Sequence, residues 1–478
     1  MYEFITNRGD IRNELQELIR CFFPAAENGQ TIVRFTYVKT ACITLYIGVN
    51  DARYTFTYPS AQAASKADYI RYELYVCKHA LYRALSEYRN KTLPWGCLTG
   101  IRPTRLALRL LQSGSSPQNA ERRLINEYFV SPDKASLTLR IMDVQRRQTE
   151  DRMCVAGDPA RCGNDLVNLY VHIPFCPTRC AYCSFVSEGI GKKQWLLLPY
   201  AEALCEEIRR TKDLLAEQNK RIFSVYVGGG TPTVLPPDLL YKVLQTAAAD
   251  GVEYTCEAGR PDTITAEKMH ILRQCGVNRV SINPQTLHDT TLQKIGRAHT
   301  AEQFYAAYEC ARQYGFVKNV DLIAGLQDET QEDFAYTLAG VLALQPENVT
   351  VHTLCRKRGS ADAQSEARQN ENAEAMVSRS VAMLNGAGYN PYYLYRQKQA
   401  SGNLENIGWC KPGFLCVNNV TVMEEILPVY ACGAGAIGKA MAAGGKILRH
   451  ANPKDVLLYL HEFEERMAKK EAFYKNIP

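Results

Sequence analysis

Six apolar, strand-like runs recur between residues 166 and 360, and a helix-like segment follows each of the first five. The runs are NLYVHI, FSVYVGG, EYTCEA, NRVSIN, NVDLIAG and NVTVHTL, which begin at residues 168, 223, 253, 278, 319 and 348. Strands that alternate with helices predict a parallel sheet with right-handed crossovers. Such sheets carry their chemistry at the carboxyl ends of the strands. The sequence therefore predicts an α/β fold with its functional site along one edge of the sheet.

The chain is too long for one compact core. Its 478 residues allow about three domains at roughly 150 residues each. The first part combines the alternating strands TIVRFTYV and ACITLYIG with one long helix over Ala61 to Tyr88, and the last part is mixed α+β with Gly-rich loops. We predict a basic α+β N-terminal domain over residues 1–160, the sheet-and-helix domain over 161–370, and a small α+β C-terminal accessory domain over 371–478.

The charge is uneven along the chain. Residues 1–165 hold 23 Lys and Arg against 17 Asp and Glu, whereas residues 166–478 hold 33 of each. The basic block is either a solvated surface or faces an acidic molecule, such as a carboxylate-rich small molecule, RNA or an acidic protein.

Targeting signals are not evident in the sequence. No apolar run reaches the roughly 20 residues of a membrane span, and MYEFITNRGD at the start lacks the apolar core of a secretion signal. The 17 cysteines are odd in number and mostly scattered, which does not suit a disulfide framework. We expect a cytoplasmic protein without membrane association.

Three cysteines stand apart from the others. Cys176, Cys180 and Cys183 follow the first strand in YVHIPFCPTRCAYCSF, with a C-x3-C-x2-C spacing. Three thiolates on one loop suit a metal or iron–sulfur site. A zinc ribbon needs two separate pairs, and a ferredoxin run supplies four cysteines for each cluster. Three ligands on a [4Fe–4S] cluster leave one iron open to another molecule.

This spacing resembles the signature of the radical S-adenosylmethionine (SAM) enzymes. The segments YVHIPFC, GGGTPT, VNRVSINPQT and DLIAGL are similar to the anaerobic coproporphyrinogen III dehydrogenase group (HemN, HemW and HemZ-type proteins), over roughly residues 166–360. The segments LTGIRPTRLA and GNLENIGW most resemble the HemZ branch. The resemblance implies a partial (β/α)6 TIM-type barrel and a [4Fe–4S] cluster whose open iron binds SAM. It also implies an electron donor such as flavodoxin or ferredoxin, because an electron from the cluster cleaves SAM.

The resemblance also implies which residues hold SAM. Glycines at a strand end let the backbone approach a ligand closely, and an arginine fork binds a carboxylate with two hydrogen bonds. Each residue also has a plainer interpretation as a turn, core or surface residue. The implied contacts are Gly228, Gly229, Gly230 and Thr231 for the amino group, Tyr182 for adenine, Glu257 for the ribose or ammonium, Arg297 for the carboxylate, Asp321 for the ribose, Gln285 as a further SAM-binding residue at the end of the fourth strand, and Tyr170 as a catalytic tyrosine.

One stretch departs from the family pattern. Glu257 is followed by Ala258-Gly259-Arg260-Pro261-Asp262, where the resembling sequences carry Asp-Pro or Asn-Pro. The contacts next to Glu257 are therefore not implied by the resemblance.

The resemblance implies a tetrapyrrole carboxylate as the substrate. Coproporphyrinogen III carries four propionates, which favour a basic cleft. Lys357 and Arg358 follow the sixth strand in TLCRKRGS and are candidates to hold a propionate. The basic residues Arg102, Arg105 and Arg109 are weaker candidates, and solvated charge is the alternative for both sets.

Two departures keep other functions open. Phe185 stands where the dehydrogenase carries a further cysteine, and Gly402-Asn403-Leu404-Glu405-Asn406-Ile407 stands where the haem chaperone HemW carries His-Asn-x-x-Tyr-Trp. The first hypothesis is a coproporphyrinogen III dehydrogenase that forms protoporphyrinogen IX in haem biosynthesis. The second is another radical SAM enzyme that acts on haem or, less expectedly, on RNA. The third is a haem chaperone that retains the cluster and SAM.

Overall fold

The computed structural model of the protein describes residues 2–23, 31–60, 65–100, 102–155, 165–183, 188–355, 372–397, 404–442 and 446–476. These residues form two compact units. The first unit consists of the described residues within Met1–Met142, Gln364–Glu374 and Leu394–Asn406, and the second consists of those within Asp143–Ala363, Ala375–Tyr393 and Ile407–Pro478.

The first unit is built on a four-stranded sheet in the order β1-β2-β3-β4, in which only β1 and β2 run parallel. Alternating burial along β3 places Ile43, Leu45 and Ile47 in a core with Leu18 of α1 and Leu81 of α2. The two strands and the long helix predicted from the sequence are confirmed, and β1, β4 and α1 are additional. The elements are β1 (Tyr2–Thr6), α1 (Arg12–Phe22), β2 (Thr31–Lys39), β3 (Cys42–Val49), β4 (Ala52–Pro59), α2 (Lys66–Arg89), α3 (Pro103–Gln112), α4 (Pro117–Tyr128) and α5 (Pro132–Val155), the last of which extends into the second unit.

The second unit alternates strands and helices from residue 166 onward. Two of its helices begin with capping boxes in which the side chains of Thr300 and Thr330 accept hydrogen bonds from free backbone N–H groups. The elements are β5 (Leu166–Ile173), β6 (Phe175–Cys176), β7 (Glu188–Gly189), α6 (Leu197–Glu217), β8 (Arg221–Gly229), α7 (Pro237–Ala247), β9 (Glu253–Cys256), α8 (Ala266–Gln274), β10 (Arg279–Ser281), α9 (Asp289–Lys294), α10 (Ala301–Gln313), β11 (Val317–Ala324), α11 (Gln331–Ala343) and β12 (Asn348–Thr353). Short 3-10 helices cover Gly9–Ile11, Gly191–Leu196, Pro232–Val234 and Pro261–Thr263.

The six predicted strands form one parallel array in the order β12-β11-β10-β9-β8-β5. They are buried along nearly their whole length, as parallel strands covered by helices are. The α/β fold with a partial (β/α)6 TIM-type barrel is therefore confirmed. All six strands point the same way, so the segments that follow them meet at one edge.

The residues after 371 add strands to both edges of this array. On one side β14 pairs antiparallel with β12, and on the other side β15 pairs parallel with β5, so the whole sheet has eleven strands. The division into three domains stays a prediction. The elements are α12 (Ala373–Gly386), β13 (Asn390–Arg396), β14 (Glu405–Cys410), α13 (Val417–Met423), β15 (Val429–Cys432), β16 (Ile437–Ala442), β17 (Lys446–Ala451), α14 (Val456–His461) and α15 (Phe463–Lys475).

Membrane spans were also sought among these elements. Within the described part of the chain, no helix has both the length and the apolarity that crossing a bilayer requires.

Candidate active site

The cysteine loop begins at the carboxyl end of β5. Cys176 ends β6, which pairs with β7, and Cys180 and Cys183 lie on the turn that follows. The Ala181 N–H donates to the carbonyl of Ile295 at 3.0 Å, and the Cys183 N–H donates to the carbonyl of Cys180 at 3.1 Å. Backbone hydrogen bonds to the end of α9 thus fix the part of the loop that carries two of the three thiols.

The arrangement of the three thiols bears on the kind of metal they suit. Among the described residues, no three His, Cys, Asp or Glu side chains converge on a point where a single ion would be held. The thiolates of a [4Fe–4S] cluster bind three different irons and need no common point. Three cysteine thiols on one loop are a donor set that suits an iron–sulfur cluster.

The glycine run at the end of β8 lies in close contact with β5 and β6, which lead into the cysteine loop. Gly229 has φ +108°, and a Cβ there would lie 2.2 Å from the His172 ring. A Cβ on Gly230 would lie 2.4 Å from the carbonyl oxygen of Phe175. Only glycine allows this approach. The packing explains Gly229 and Gly230, while contact of this backbone with SAM stays a prediction.

Gly228 and Thr231 flank these two glycines. A Cβ on Gly228 would lie 2.7 Å from Oε2 of Glu257. The buried Thr231 hydroxyl donates to the sulfur of Cys176 at 3.5 Å. The structure therefore brings the glycine run, the first thiol and Glu257 together.

Glu257 follows β9, is half-buried, and its carboxylate accepts few hydrogen bonds from the described residues. The Tyr226 hydroxyl donates to Oε1 at 2.5 Å, and the Gly229 N–H donates to Oε2 at 3.2 Å. Burial raises the pKa of Glu257 to about 7, and the nearby carboxylate of Asp321 also raises it. The hydrogen bonds from Tyr226 and the Gly229 N–H lower this pKa but do not offset burial, so the site favours a ligand that brings hydrogen-bond donors or positive charge.

Asp321 lies on β11 within a polar group inside the barrel. Its carboxylate accepts hydrogen bonds from Asn283 at 2.9 Å and Asn319 at 2.8 Å, and it lies 3.6 Å from Nε2 of His352. Burial would raise the pKa of Asp321, but the hydrogen bond from His352 and its partial charge keep it below the ordinary value. Asp321 is therefore held as a carboxylate that can accept further hydrogen bonds.

Gln285 lies beyond β10 in a strained backbone conformation. It has φ +70°, and its backbone makes an isolated bridge to Leu322. Its side-chain oxygen is buried and has no hydrogen-bond partner among the described residues. A buried acceptor without a partner is unfavourable, and strained residues cluster at ligand sites. Gln285 therefore has the form of a ligand contact.

Arg297 is buried and ties several segments of this edge together. Its guanidinium donates to the carbonyl oxygens of Gly259 (2.8 Å) and Asn283 and to the Tyr182 hydroxyl (3.1 Å). Most of its fork is thus committed to the protein. Its predicted contact with the SAM carboxylate stays a prediction, in competition with this bracing role.

Tyr182 has aliphatic neighbours, whereas Tyr170 has an aromatic one. Tyr182 packs against an apolar group that includes Leu292 and Ile323. Tyr170 lies on β5 with its ring centroid 6.2 Å from that of Tyr226. Burial raises the pKa of both phenols above the ordinary value, so both are neutral hydroxyls.

The predicted substrate contacts lie elsewhere in the chain. Lys357 and Arg358 fall outside the described residues. Arg102, Arg105 and Arg109 lie on or directly before α3 of the first unit. Substrate contact by any of them stays a prediction.

Sequence reasoning missed four polar residues of this edge, namely Arg260, Asn283, His352 and Tyr226. Asn283, His352 and Tyr226 stand inside runs that were interpreted only as strands, and a polar residue in an otherwise apolar strand is the signal that could have found them. Arg260 stood in the stretch that departs from the family pattern. Its guanidinium reaches the cysteine loop, with Nη1 3.8 Å from the Cys180 sulfur.

Comparisons with known proteins agree with this geometry. The family model for the radical SAM superfamily matches residues 170–339, which include the cysteine loop, the glycine run and Asp321. In solved structures, the chain is similar to coproporphyrinogen III oxidase (HemN) from Escherichia coli, with a TM-score of 0.51 and 22% identity over 67% of this chain and 73% of that one. At this identity, the similarity shows the fold.

Two relatives from Bacillus subtilis (strain 168) indicate which part of the superfamily the chain is similar to. The oxygen-independent coproporphyrinogen-III oxidase-like protein HemZ is 38% identical over 405 residues, which are 82% of this chain and 79% of the relative. The heme chaperone HemW is 34% identical over 192 residues, which are 39% of this chain and 49% of that relative. The chain therefore belongs to the radical SAM superfamily, whose members use a [4Fe–4S] cluster and SAM, and within it to the group of oxygen-independent coproporphyrinogen III oxidase-like proteins.

Proposed function

We propose that the protein is an oxygen-independent coproporphyrinogen III dehydrogenase, which converts two propionates into vinyl groups and forms protoporphyrinogen IX. The observation that carries this proposal is the 38% identity to a coproporphyrinogen-III oxidase-like protein over 82% of the chain. That similarity extends well beyond the barrel, so it includes regions in which the branches of the group differ.

The residues at the strand ends have distinct roles in this proposal. Cys176, Cys180 and Cys183 bind three irons, and the fourth iron binds SAM. Glu257 and Gln285 contribute acceptors that lack the partners their burial requires. The cluster supplies the electron that cleaves SAM, and SAM supplies the group that removes a hydrogen from the substrate.

Four further side chains support this arrangement. Asp321 accepts hydrogen bonds from the ribose, and the ring of Tyr182 lies against adenine. Arg297 orients the SAM carboxylate or braces the strand ends that hold SAM. Tyr170 faces the reacting part of the substrate as a neutral hydroxyl, because burial raises its pKa.

The outside partners follow from the reaction. We propose an acidic one-electron carrier, a flavodoxin or a ferredoxin, as the donor to the cluster. The substrate is a tetrapyrrole with carboxylate side chains, and Lys357 and Arg358 are proposed to hold one of its propionates.

A haem chaperone is the second candidate, because HemW shares 34% identity with part of the chain. Gly402 speaks against it, because it stands where HemW carries the His of its haem motif. Glu405 stands later in the same stretch, and its buried carboxylate accepts hydrogen bonds from Trp95 Nε1 at 2.7 Å and from Lys134. Both partners are in the first unit, so Glu405 serves the packing of that unit.

The test is an anaerobic reaction of the reconstituted protein with SAM, a strong reductant and coproporphyrinogen III. Porphyrins and 5′-deoxyadenosine are followed together by liquid chromatography and mass spectrometry. We expect the loss of two carboxyl groups, coupled to formation of deoxyadenosine. Cys180→Ala should abolish both products, whereas Cys310→Ala, a half-buried cysteine on α10, should leave both unchanged.

The other outcomes separate the hypotheses. Formation of deoxyadenosine while coproporphyrinogen stays unchanged would overturn the proposed substrate and support the radical chemistry. Stoichiometric haem binding without decarboxylation would favour the chaperone. A Cys180→Ala protein that keeps its iron and activity would overturn the cluster ligands.

A further inference from the structure

Arg260 is a buried cation at the carboxyl edge of the sheet. It follows β9, begins the 3-10 helix Pro261–Thr263 and is 3% exposed. Its Nε and Nη2 atoms donate to the two carboxylate oxygens of Asp262, at 3.0 and 3.1 Å. This two-point contact fixes the plane of the guanidinium. The rest of the fork is thereby directed to a defined place.

That place is the middle of the cysteine loop. Nη1 donates to the carbonyl oxygen of Thr178 at 3.2 Å, and Nη2 donates to the Thr178 hydroxyl at 3.1 Å. The Thr178 hydroxyl in turn donates a hydrogen bond to the carbonyl oxygen of Gly296 at 3.0 Å. Nη1 also lies 3.8 Å from the sulfur of Cys180. Arg260 therefore contacts the loop on both sides of Arg179, at one of the thiols and at the residue two positions before it.

We propose that Arg260 is a positioning residue that holds the cysteine loop in its cluster-binding conformation and raises the reduction potential of the bound cluster. The proposal rests on the proposed cysteine ligands and does not depend on the substrate. Reduction adds one negative charge to a cluster that three thiolates already make anionic. A buried cation and an N–H···S contact stabilise the more negative state, so the potential rises.

The charge and the geometry of Arg260 act separately. The positive charge acts on the potential, and a lysine would retain it. The planar fork holds Asp262 and Thr178 at once, and a lysine would not reproduce it. Asp262 partly offsets the positive charge, so its removal should move the potential in the opposite direction from removal of Arg260.

The test compares variants after anaerobic reconstitution, with iron and sulfide per chain and the cluster midpoint potential from an EPR-monitored redox titration. Arg260→Gln should retain less iron, and its one-electron reduction should become about tenfold less favourable, which corresponds to a fall of about 59 mV. Arg260→Lys should keep a potential near that of the wild type but retain less iron. Asp262→Asn should raise the potential.

The control is Arg273→Gln, an exposed arginine on α8 that should change neither quantity. An Arg260→Gln protein with the iron content and potential of the wild type would overturn the proposal, and so would an equal shift in the control. If Arg260→Gln does not fold, Arg260→Lys and Asp262→Asn still test the two parts, and an unchanged potential in Asp262→Asn would remove the electrostatic part. Failure of the wild type to decarboxylate coproporphyrinogen would affect only the proposed function, because the potential is measured without substrate.

Discussion

Two carboxylates of the second unit, the buried Glu207 and the half-buried Glu257, have opposite surroundings. Glu207 lies on α6, where it joins the helix to the last third of the chain, and Glu257 lies at the ligand edge of the sheet. Burial raises the pKa of both groups, yet Glu207 has a pKa of about 2 and Glu257 has a pKa of about 7. The difference lies in the partners that each carboxylate has within the protein.

The negative charge of the Glu207 carboxylate is offset by partners within the protein. Its two oxygens accept four hydrogen bonds, from Lys470 (3.0 Å), Asn452 (2.8 Å), the Gly433 N–H (2.9 Å) and Tyr459 (2.6 Å), and form an ion pair with Arg466 at 2.8 Å. The two cations are themselves buried. A group so completely paired has no capacity for a ligand, so it serves to fix α14 and α15 against the barrel.

Among the described residues, the donors to Glu257 are a tyrosine hydroxyl and one backbone N–H. The hydrogen bonds to Glu257 do not make up for the removal of its carboxylate from water, which destabilises the ligand-free protein. A ligand that brings hydrogen-bond donors removes this destabilisation. The contrast teaches that burial of a charge does not by itself indicate a ligand site. A charge that is removed from water and lacks hydrogen-bond partners does indicate one.

The largest expected effect comes from breaking the compensated group. Glu207→Gln replaces an acceptor oxygen with an amide that faces N–H donors, and it leaves Lys470 and Arg466 without their counter-charge. We expect a loss of about 3–5 kcal/mol in the free energy of unfolding. Urea unfolding followed by circular dichroism measures it.

The neighbouring residue supplies the control. Glu206 pairs with Arg209 at 2.7 Å, and about half of each side chain is exposed. Glu206→Gln should therefore change the free energy of unfolding by less than about 1 kcal/mol. Equal losses of stability in the two variants would show that Glu207 does not fix α14 and α15 against the barrel.

Glu257 should show the reverse dependence on pH in the ligand-free protein. A carboxyl whose pKa is raised by folding contributes stability below its unfolded pKa, and that contribution is lost as pH rises through the folded pKa. For Glu257 the window runs from about 4.5 to about 7, which corresponds to about 3 kcal/mol. Glu257→Gln removes this titration, so wild type and variant should diverge across the window.

The measurement is the free energy of unfolding at steps of pH from 4 to 8, for wild type, Glu257→Gln and Glu206→Gln. The wild type should lose stability relative to Glu257→Gln as pH rises, and Glu206→Gln should follow the wild type. Parallel curves for wild type and Glu257→Gln would mean that the pKa of Glu257 is not raised.

The strand order and the position of the three cysteines could be predicted from the sequence, whereas the polar group around Glu207 could not. The strand runs and the C-x3-C-x2-C spacing are local patterns, so they predicted the barrel and the position of the cysteines. Glu207 and Lys470 are 263 residues apart, and no periodicity marks either as buried. The pairing of β15 with β5 is equally distant in sequence. Such contacts depend on the tertiary fold, which overrides local composition.

The same reason explains the mixed result at the site. Glu257, Gln285 and Asp321 follow from the position of strand ends, and the structure brings them to one edge. The involvement of Arg297 with Gly259 and Asn283 could not be predicted, because it depends on how three strand ends approach one another. Arg260 was visible only as an unexplained departure from a pattern.

The smallest expected effect tests the one side-chain donor of Glu257. Tyr226→Phe removes the hydrogen bond at 2.5 Å, which favours the ionised carboxylate and so lowers its pKa. Without it, the pKa of Glu257 should rise by about one unit, equivalent to about 1.4 kcal/mol. The upper limit of the pH window should therefore move above 7.

The matched control is Tyr254→Phe, because this buried tyrosine on β9 donates to the backbone carbonyl of Leu244 at 2.8 Å. It should lower the free energy of unfolding by about 1 kcal/mol at every pH and leave the window in place. A window that moves in neither variant would show that the Tyr226 hydroxyl does not support the charge on Glu257. A window that moves in both would assign the effect to the sheet rather than to the carboxylate, and the contrast with Glu207 would then lose its basis.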